Sequence, residues 1–332
     1  MIVLGIETSC DETAAAVVKD GGIVMSSVVA SQADSHHRYG GVVPEIASRL
    51  HIDAVSRVVE AAVEKAGVSV DRIEGIAATR GPGLIGSLLV GFSFAKAFAY
   101  ARRLEMAGVN HLEGHIHSSF LCDTPPDFPF IALVASGGHT NIYHVRSYRG
   151  FELMGQTRDD AVGEAFDKVA KMMGLGYPGG PVIESMALKG DPGRIEFPRT
   201  YLEKGSFDFS FSGLKSAVAR YLAENKESLQ DLYPHIAAGF QAAVFDVLIR
   251  KLVLACEEKR CGEIAVTGGV AANSSFCREL SRRAGQSGLA VHVPPGEYCG
   301  DNAAMIAARG YHQLLDHEVC LPGDDVFSRN RV

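Results

Sequence analysis

The sequence predicts an α/β protein of two lobes, each a mixed β-sheet flanked by helices. Three observations lead there. The chain has 332 residues, too many for one ordinary hydrophobic core and enough for two domains of roughly 150 residues each. A strand, polar turn and strand over residues 2–18 has a counterpart at 131–145, where IALVASGGHTNIYHV runs strand, glycine-rich polar turn, strand. Strand-like apolar runs elsewhere alternate with longer stretches whose apolar residues fall at three- and four-residue spacing, as one face of a helix requires. One theme recurring in each half is the sign of a duplicated two-lobe architecture.

In order, residues 2–6 (IVLGI) and 14–18 (AAAVV) read as short buried strands joined by a polar turn from Glu7 to Thr13. Gly21 and Gly22 then turn the chain into a third strand near 23–30. A meander with a polar tip is how actin-like ATPases begin, because the tip offers backbone N–H groups and a carboxylate to a nucleotide phosphate. Pro44 opens a helix, EIASRLHIDAVSRVVEAAVEKAG, that stops at Gly67. Its apolar face is wide enough to dock a partner helix or to pack on its own lobe. IEGIAATR (73–80) is a strand, and GPGLIGSLLVGFSFAKAFAYARR carries the next helix, in which Lys96 reads as a surface lysine with its stem on apolar neighbours. After 131–145 a long mixed helical region fills 160–260. EIAVTGGVAANSSF (263–276) is strand, glycine turn and helix, and the last helix starts after Gly300-Asp301-Asn302. No linker-like stretch appears, so the lobes are expected to pack closely.

Composition narrows the function. The net charge of −7 is the wrong sign for a chain that grips RNA unaided, since phosphate contacts supply much of that affinity. The absence of Trp likewise counts against a stand-alone single-strand binder. Seven scattered cysteines without a C-x-x-C pair predict reduced thiols rather than a disulfide framework or zinc knuckle. The opening MIVLGIETSCDET is a buried-type strand without signal-peptide features. Apolar runs such as 85–99 fall short of the ~18 residues that span a bilayer. A cytoplasmic protein with no membrane partner is expected.

Several local patterns carry chemistry. His111 and His115 are four apart, which on a helix places them on one face with Cβ atoms roughly 6 Å apart; spacing alone fits a metal-binding pair or two surface histidines. Ser136-Gly137-Gly138-His139-Thr140 follows a continuous apolar strand and suits either an anion-binding turn or a plain hairpin. Glu12, next to Asp11, lies on the first polar turn, placed either to orient a water or metal near phosphates or as a solvated acid. In HLEGH the Glu lies two places after the first His, about 200° round a helix. The H-E-x-x-H peptidases need it directly after that His, which argues against peptide hydrolysis.

Nine ordered strings stand together: GIETSCDET (5–13), HHRYGGVVPEIASRLH (36–51), TRGPGLIGSL (79–88), HLEGHIHS (111–118), SGGHT (136–140), LGYPGGP (175–181), DFSFSGLK (208–215), TGGVAANS (267–274) and CGDNAAM (299–305). Together they resemble the tRNA adenosine threonylcarbamoyltransferase family, formerly called O-sialoglycoprotein endopeptidase or glycoprotease, and its bacterial TsaD branch in particular. The resemblance covers essentially the whole chain. It implies the actin/Hsp70/sugar-kinase (ASKHA) fold: an N-terminal lobe of 1–108 plus a C-terminal helix about 302–332, and a second lobe of 109–301 with a helical insertion, metal and nucleotide lying at the central cleft. It implies transfer of threonylcarbamoyl from threonylcarbamoyl-AMP to the exocyclic amine of the adenosine beside the tRNA anticodon (position 37).

By the same resemblance His111, His115 and Asp301 hold one divalent metal, iron first and zinc second. Val134, Ala135, Ser136, Gly137 and Gly138 contact the phosphate and threonylcarbamoyl region of the donor. Asp167, Gly180 and Asn273 hold the ribose and adenine of an adenylate or ATP-type nucleotide. Glu184 sits where relatives commonly carry Asp. No catalytic residue is assigned beyond Glu12. The implied partners are tRNA, a paralogous TsaB-like subunit and a TsaE-like ATPase. An ATPase or phosphotransferase of the same fold is the alternative, with a metallopeptidase behind it.

Overall fold

The computed structural model describes residues 1–203, 205–226 and 229–329, so the last three positions of the expected 302–332 segment lie outside the described residues. By spatial contact the chain divides into a first unit, Met1–Pro125 with Pro294–Val332, and a second, Pro126–Val293.

In the first unit β1 (Ile2–Glu7), β2 (Glu12–Lys19) and β3 (Ile23–Ser31) form the antiparallel meander that the opening sequence predicts. β4 (Gly75–Gly81) and β5 (Glu105–Asn110) add in parallel beyond β1, giving the order β3-β2-β1-β4-β5. Helix α1 (Ala33–His37) is short; α2 (Pro44–Lys65) and α3 (Ile85–Arg102) pack together, and α4 (His111–Ser118) continues directly from β5. The last helix, α10 (Ala303–Leu315), returns to the same sheet.

Alternation of side chains along each strand explains the continuous apolar runs. Val3, Ala14, Ala16 and Val18 face a core made with Ala303–Ala308 of α10. Leu4, Ile6, Ala15 and Val17 face the opposite core, built with Val55, Val58 and Val59 of α2 and Phe92 and Ala95 of α3. The apolar face of α2 is therefore spent largely on its own unit.

The second unit repeats the connectivity. β6 (Phe130–Ala135), β7 (Thr140–Ser147) and β8 (Gly150–Gln156) form the antiparallel meander, and β9 (Glu263–Thr267) and β10 (Ala290–His292) add in parallel beyond β6. Its helices are α5 (Val162–Met172), α6 (Gly179–Ala187), α7 (Ser212–Glu224), α8 (Leu229–Lys259) and α9 (Ser274–Gln286). Two mixed five-stranded sheets of like topology are the duplicated α/β architecture expected from the sequence.

The partition differs in place from the expected 1–108 and 109–301. Helix α4 and residues 294–301 fall in the first unit, because α4 packs on α10 and α10 lies on β1 and β4. All seven cysteines are free thiols. Among the described residues no helix is long and apolar enough to cross a membrane.

Candidate metal centre and nucleotide-binding turns

Strand β5 runs into α4 without a loop. Asn110 caps the helix, its Oδ1 accepting from the backbone N–H of Leu112 at 2.9 Å and of Glu113 at 3.4 Å. His111 is thereby the first helical residue and His115 follows one turn later on the same face, with ring centroids 4.7 Å apart. Asp301 comes from the far end of the chain. It precedes Asn302, whose side chain caps α10 by accepting from Met305 N–H at 2.9 Å.

The three side chains converge. His115 Nε2 lies 3.1 Å and His111 Nε2 3.6 Å from one oxygen, Asp301 Oδ1. One ligand atom from each residue can be chosen so that all lie within 4.8 Å of one another. Both histidines are buried and Asp301 partly so. Two imidazole nitrogens and a carboxylate oxygen, largely removed from water, fit one divalent ion and leave coordination positions for substrate oxygens.

Behind His111 stands a carboxylate that the sequence places only in a polar turn. Glu7 is fully buried, and its Oε2 accepts from His111 Nδ1–H at 3.1 Å and from Thr79 Oγ1 at 2.5 Å. Its Oε1 accepts from the Ser9 backbone N–H. Burial pushes the Glu7 carboxyl up and the His111 imidazole down. The opposite charges outweigh this: Glu7 ends below the usual carboxylate range, and His111, facing Glu7 and Asp301, is raised to about 9. A metal at Nε2 must therefore displace a proton.

Glu113 has a different place. Its Oε2 accepts from Arg309 Nε at 2.8 Å, and Arg309, nearly buried, also has Glu318 at 3.8 Å. Glu113, the acid between the two histidines, is thus an ion-pair partner linking α4 to α10, and the position where a metallopeptidase carries its general base is Leu112. Gly114 serves the same junction: a Cβ there would come within 2.7 Å of Ile306 Cδ1.

Glu12 opens β2. Its Oε1 accepts from Ser31 Oγ at 2.8 Å, and Oε2 is buried without a hydrogen-bond partner among the described residues. Burial outweighs the Ser31 bond and raises the carboxyl to about 7. The polar turn before it is held by buried His51, whose Nδ1 meets Thr13 Oγ1 at 2.7 Å and whose Nε2 donates to the Cys10 carbonyl at 3.0 Å. Lys96 is half-buried and donates to the carbonyls of Pro322 and Asp324, tying down the C-terminal segment.

In the second unit the predicted nucleotide residues form a linked series. Val134 and Ala135 are fully buried in β6, so their side chains belong to the core. The turn that follows is closed by Ser136 N–H donating to the His139 carbonyl at 2.8 Å, and Gly163 N–H at the start of α5 donates to the Ser136 carbonyl at 3.2 Å. Asp167 of α5 accepts from Gly179 N–H at 2.6 Å, which fixes the start of α6 and with it Gly180. Glu184 of α6 reaches the start of α9, accepting from Ser274 Oγ at 2.8 Å and Ser275 N–H at 3.3 Å. Asn273 caps α9 through Phe276 N–H at 2.9 Å and donates to Gln241 at 3.2 Å.

The glycines of these turns divide in two. Gly268, at φ +88, lies so close to the Ala135 carbonyl that a Cβ would sit 2.4 Å from its oxygen. At Gly137, Gly138, Gly180 and Gly269 a Cβ would meet nothing within 4 Å. Their backbones border open space, the condition for close approach by a phosphate or a ribose.

Glu7, Thr79, Arg309 and Gln241 are the supporting residues that sequence reasoning missed. The available signal was a charged residue ending the otherwise apolar β1 sequence IVLGIE.

A profile of the family described as tRNA N6-adenosine threonylcarbamoyltransferase (TsaD) matches residues 23–308. The protein of that name from Desulforapulum autotrophicum is 63% identical over 331 residues, covering 100% of this chain and 99% of the relative. That from Syntrophus aciditrophicus is 52% identical over 315 residues, covering 95% and 93%. Among solved structures, component A of the Acidaminococcus fermentans (R)-2-hydroxyglutaryl-CoA dehydratase aligns with TM-score 0.56 at 15% identity, covering 95% of this chain and 99% of that one. HypF from T. kodakarensis aligns with TM-score 0.62 at 14% identity, covering 96% and 48%. At such identities the structures speak for the actin-like fold alone. The sequence relatives speak for more, since their likeness runs the whole length of the chain: it belongs to the tRNA N6-adenosine threonylcarbamoyltransferase (TsaD) family.

Proposed function

We propose that this enzyme, which transfers threonylcarbamoyl to N6 of an adenosine in tRNA, takes the group from threonylcarbamoyl-AMP and delivers it to position 37 beside the anticodon, with one divalent metal held by His111, His115 and Asp301. The observation that supports the metal assignment is the approach of two histidine Nε2 atoms to the single oxygen Asp301 Oδ1. Iron is the first candidate and zinc the second, because two imidazoles and a carboxylate suit either. When bound, the metal supplies a Lewis acid for oxygens of the donor.

The remaining roles fall to the chain itself. The backbone N–H groups of Gly137 and Gly138, in the turn that Ser136 closes, meet the phosphate and carbamoyl oxygens, where negative charge develops as AMP departs. Asp167, Gly180, Glu184 and Asn273 hold the ribose and adenine. The mixed anhydride is already activated, so positioning of donor and amine contributes much of the acceleration. Glu12 is the candidate to take the amine proton, since a carboxyl near 7 is matched to that task at neutral pH. The acidic chain shares its grip on tRNA with a TsaB-like subunit and a TsaE-like ATPase, and works in the cytoplasm, where its tRNA is.

The test mixes the purified chain and those two partners with unmodified tRNA and labelled threonylcarbamoyl-AMP. Label is expected on the adenosine at position 37, and none with His111→Ala. Label with His111→Ala at the parent rate overturns the metal role. No label with the parent, under conditions where a known relative succeeds, overturns the donor assignment.

A further inference from the structure

We propose that Glu7 is a positioning residue for the metal centre, holding His111 through Nδ1 so that Nε2 is the atom presented as ligand; this rests on the metal reading above. Glu7 ends β1, and β1, β4 and β5 are consecutive in the sheet. Their C-terminal ends therefore lie side by side, which brings Glu7, Thr79 and the β5–α4 junction into one row.

A fully buried carboxylate needs partners for its oxygens. Glu7 has Thr79 Oγ1 and His111 Nδ1 on Oε2 and the Ser9 backbone on Oε1. An ionised carboxylate only accepts, so His111 must place an N–H on Nδ1. That leaves Nε2, 3.6 Å from Asp301 Oδ1, as the nitrogen able to offer a lone pair. His115 differs: its Nδ1 is buried without a hydrogen-bond partner among the described residues. Carboxylate support thus reaches one of the two histidines, and the effect of Glu7 on metal must pass through His111.

That route sets the experiment. Zinc affinity is measured by chelator competition for the parent chain, Glu7→Gln, His111→Ala and the double variant, with the melting temperature of each metal-free protein. Glu7→Gln is expected to weaken zinc binding about 10- to 100-fold, and to have no further effect once His111 is Ala, because its target is gone. The cobalt(II) absorption spectrum of Glu7→Gln is expected to change with it. A merely structural role would weaken the single and double variants by the same factor, and that result, or unchanged affinity, overturns the proposal. If Glu7→Gln does not fold, Thr79→Val, which removes one of the two donors to Glu7 Oε2, enters the same cycle with a severalfold loss expected and the same criterion. A parent chain that binds no zinc or cobalt overturns the metal reading itself.

Discussion

His115 and Asp301 are 186 positions apart in the chain, yet His115 Nε2 stands 3.1 Å from Asp301 Oδ1. The contact exists because α10 returns to the first sheet and packs against α4, with Gly114 against Ile306 and Glu113 on Arg309. Metal retention should therefore depend equally on both ends of the chain. Asp301→Asn and His115→Ala are each expected to weaken zinc binding by about 100-fold or more, beyond what loss of a supporting residue costs. Metal content after dialysis, read by mass spectrometry, checks this; retention at the parent level by either variant contradicts it.

Gly137 and Gly138 separate binding from folding. A Cβ at either position meets no atom beyond its chain neighbours within 4 Å, so Gly137→Val and Gly138→Val should melt within a few degrees of the parent. The same side chain fills the space assigned to the donor phosphate. AMP affinity is expected to fall about tenfold or more, ~1.4 kcal/mol or greater, by calorimetry. Unchanged affinity would remove this turn from the nucleotide site.

Gly5 makes the opposite case. A Cβ there would lie 2.3 Å from the Ala303 carbonyl oxygen and 2.9 Å from Ala307 Cβ, and the helix backbone cannot yield as a flexible side chain does. Gly5→Ala is expected to cost about 1–3 kcal/mol, measured by urea unfolding. It should also loosen Asp301, which lies just ahead of Ala303, and so weaken zinc binding.

Glu12 predicts a pH effect. Its carboxyl is raised from the ordinary 4.5 to about 7 in the folded protein, so the folded state holds the proton more tightly than the unfolded chain. Its stabilising contribution is complete below pH 4.5 and is lost as pH rises through 7. Glu12→Gln, which copies the neutral form, should match the parent near pH 4.5 and exceed it at pH 8 in urea midpoint. A parent and variant that lose stability in parallel across this range would show that Glu12 titrates normally.

Much of the second unit's candidate site was legible because its signals are local. The strand, glycine turn and helix start at 267–274 can be read residue by residue, as can the apolar run into Ser136-Gly137-Gly138. The pairing of Glu184 with Ser274 and Ser275 was not legible. It joins positions 90 and 91 apart, brought together because α6 and α9 each pack on α8. Val134 and Ala135 show a further limit: a motif marks a region, while burial decides that only their backbone can face a ligand.

From sequence alone came the two meanders, the helix with His111 and His115 on one face, and the glycine turns. Each follows from a period of 2 or 3.6, a cap or a turn residue, and these act over a few neighbours. The tertiary structure alone decided that Asp301 meets His115, that Glu7 stands behind His111, and that Glu113 is bound to Arg309. Those contacts are set by strand order and by the return of α10, which close loops of a hundred residues or more. No local period encodes such a closure. It is fixed by burying both faces of the sheet at once, with Val3 against α10 and Leu4 against α2 and α3.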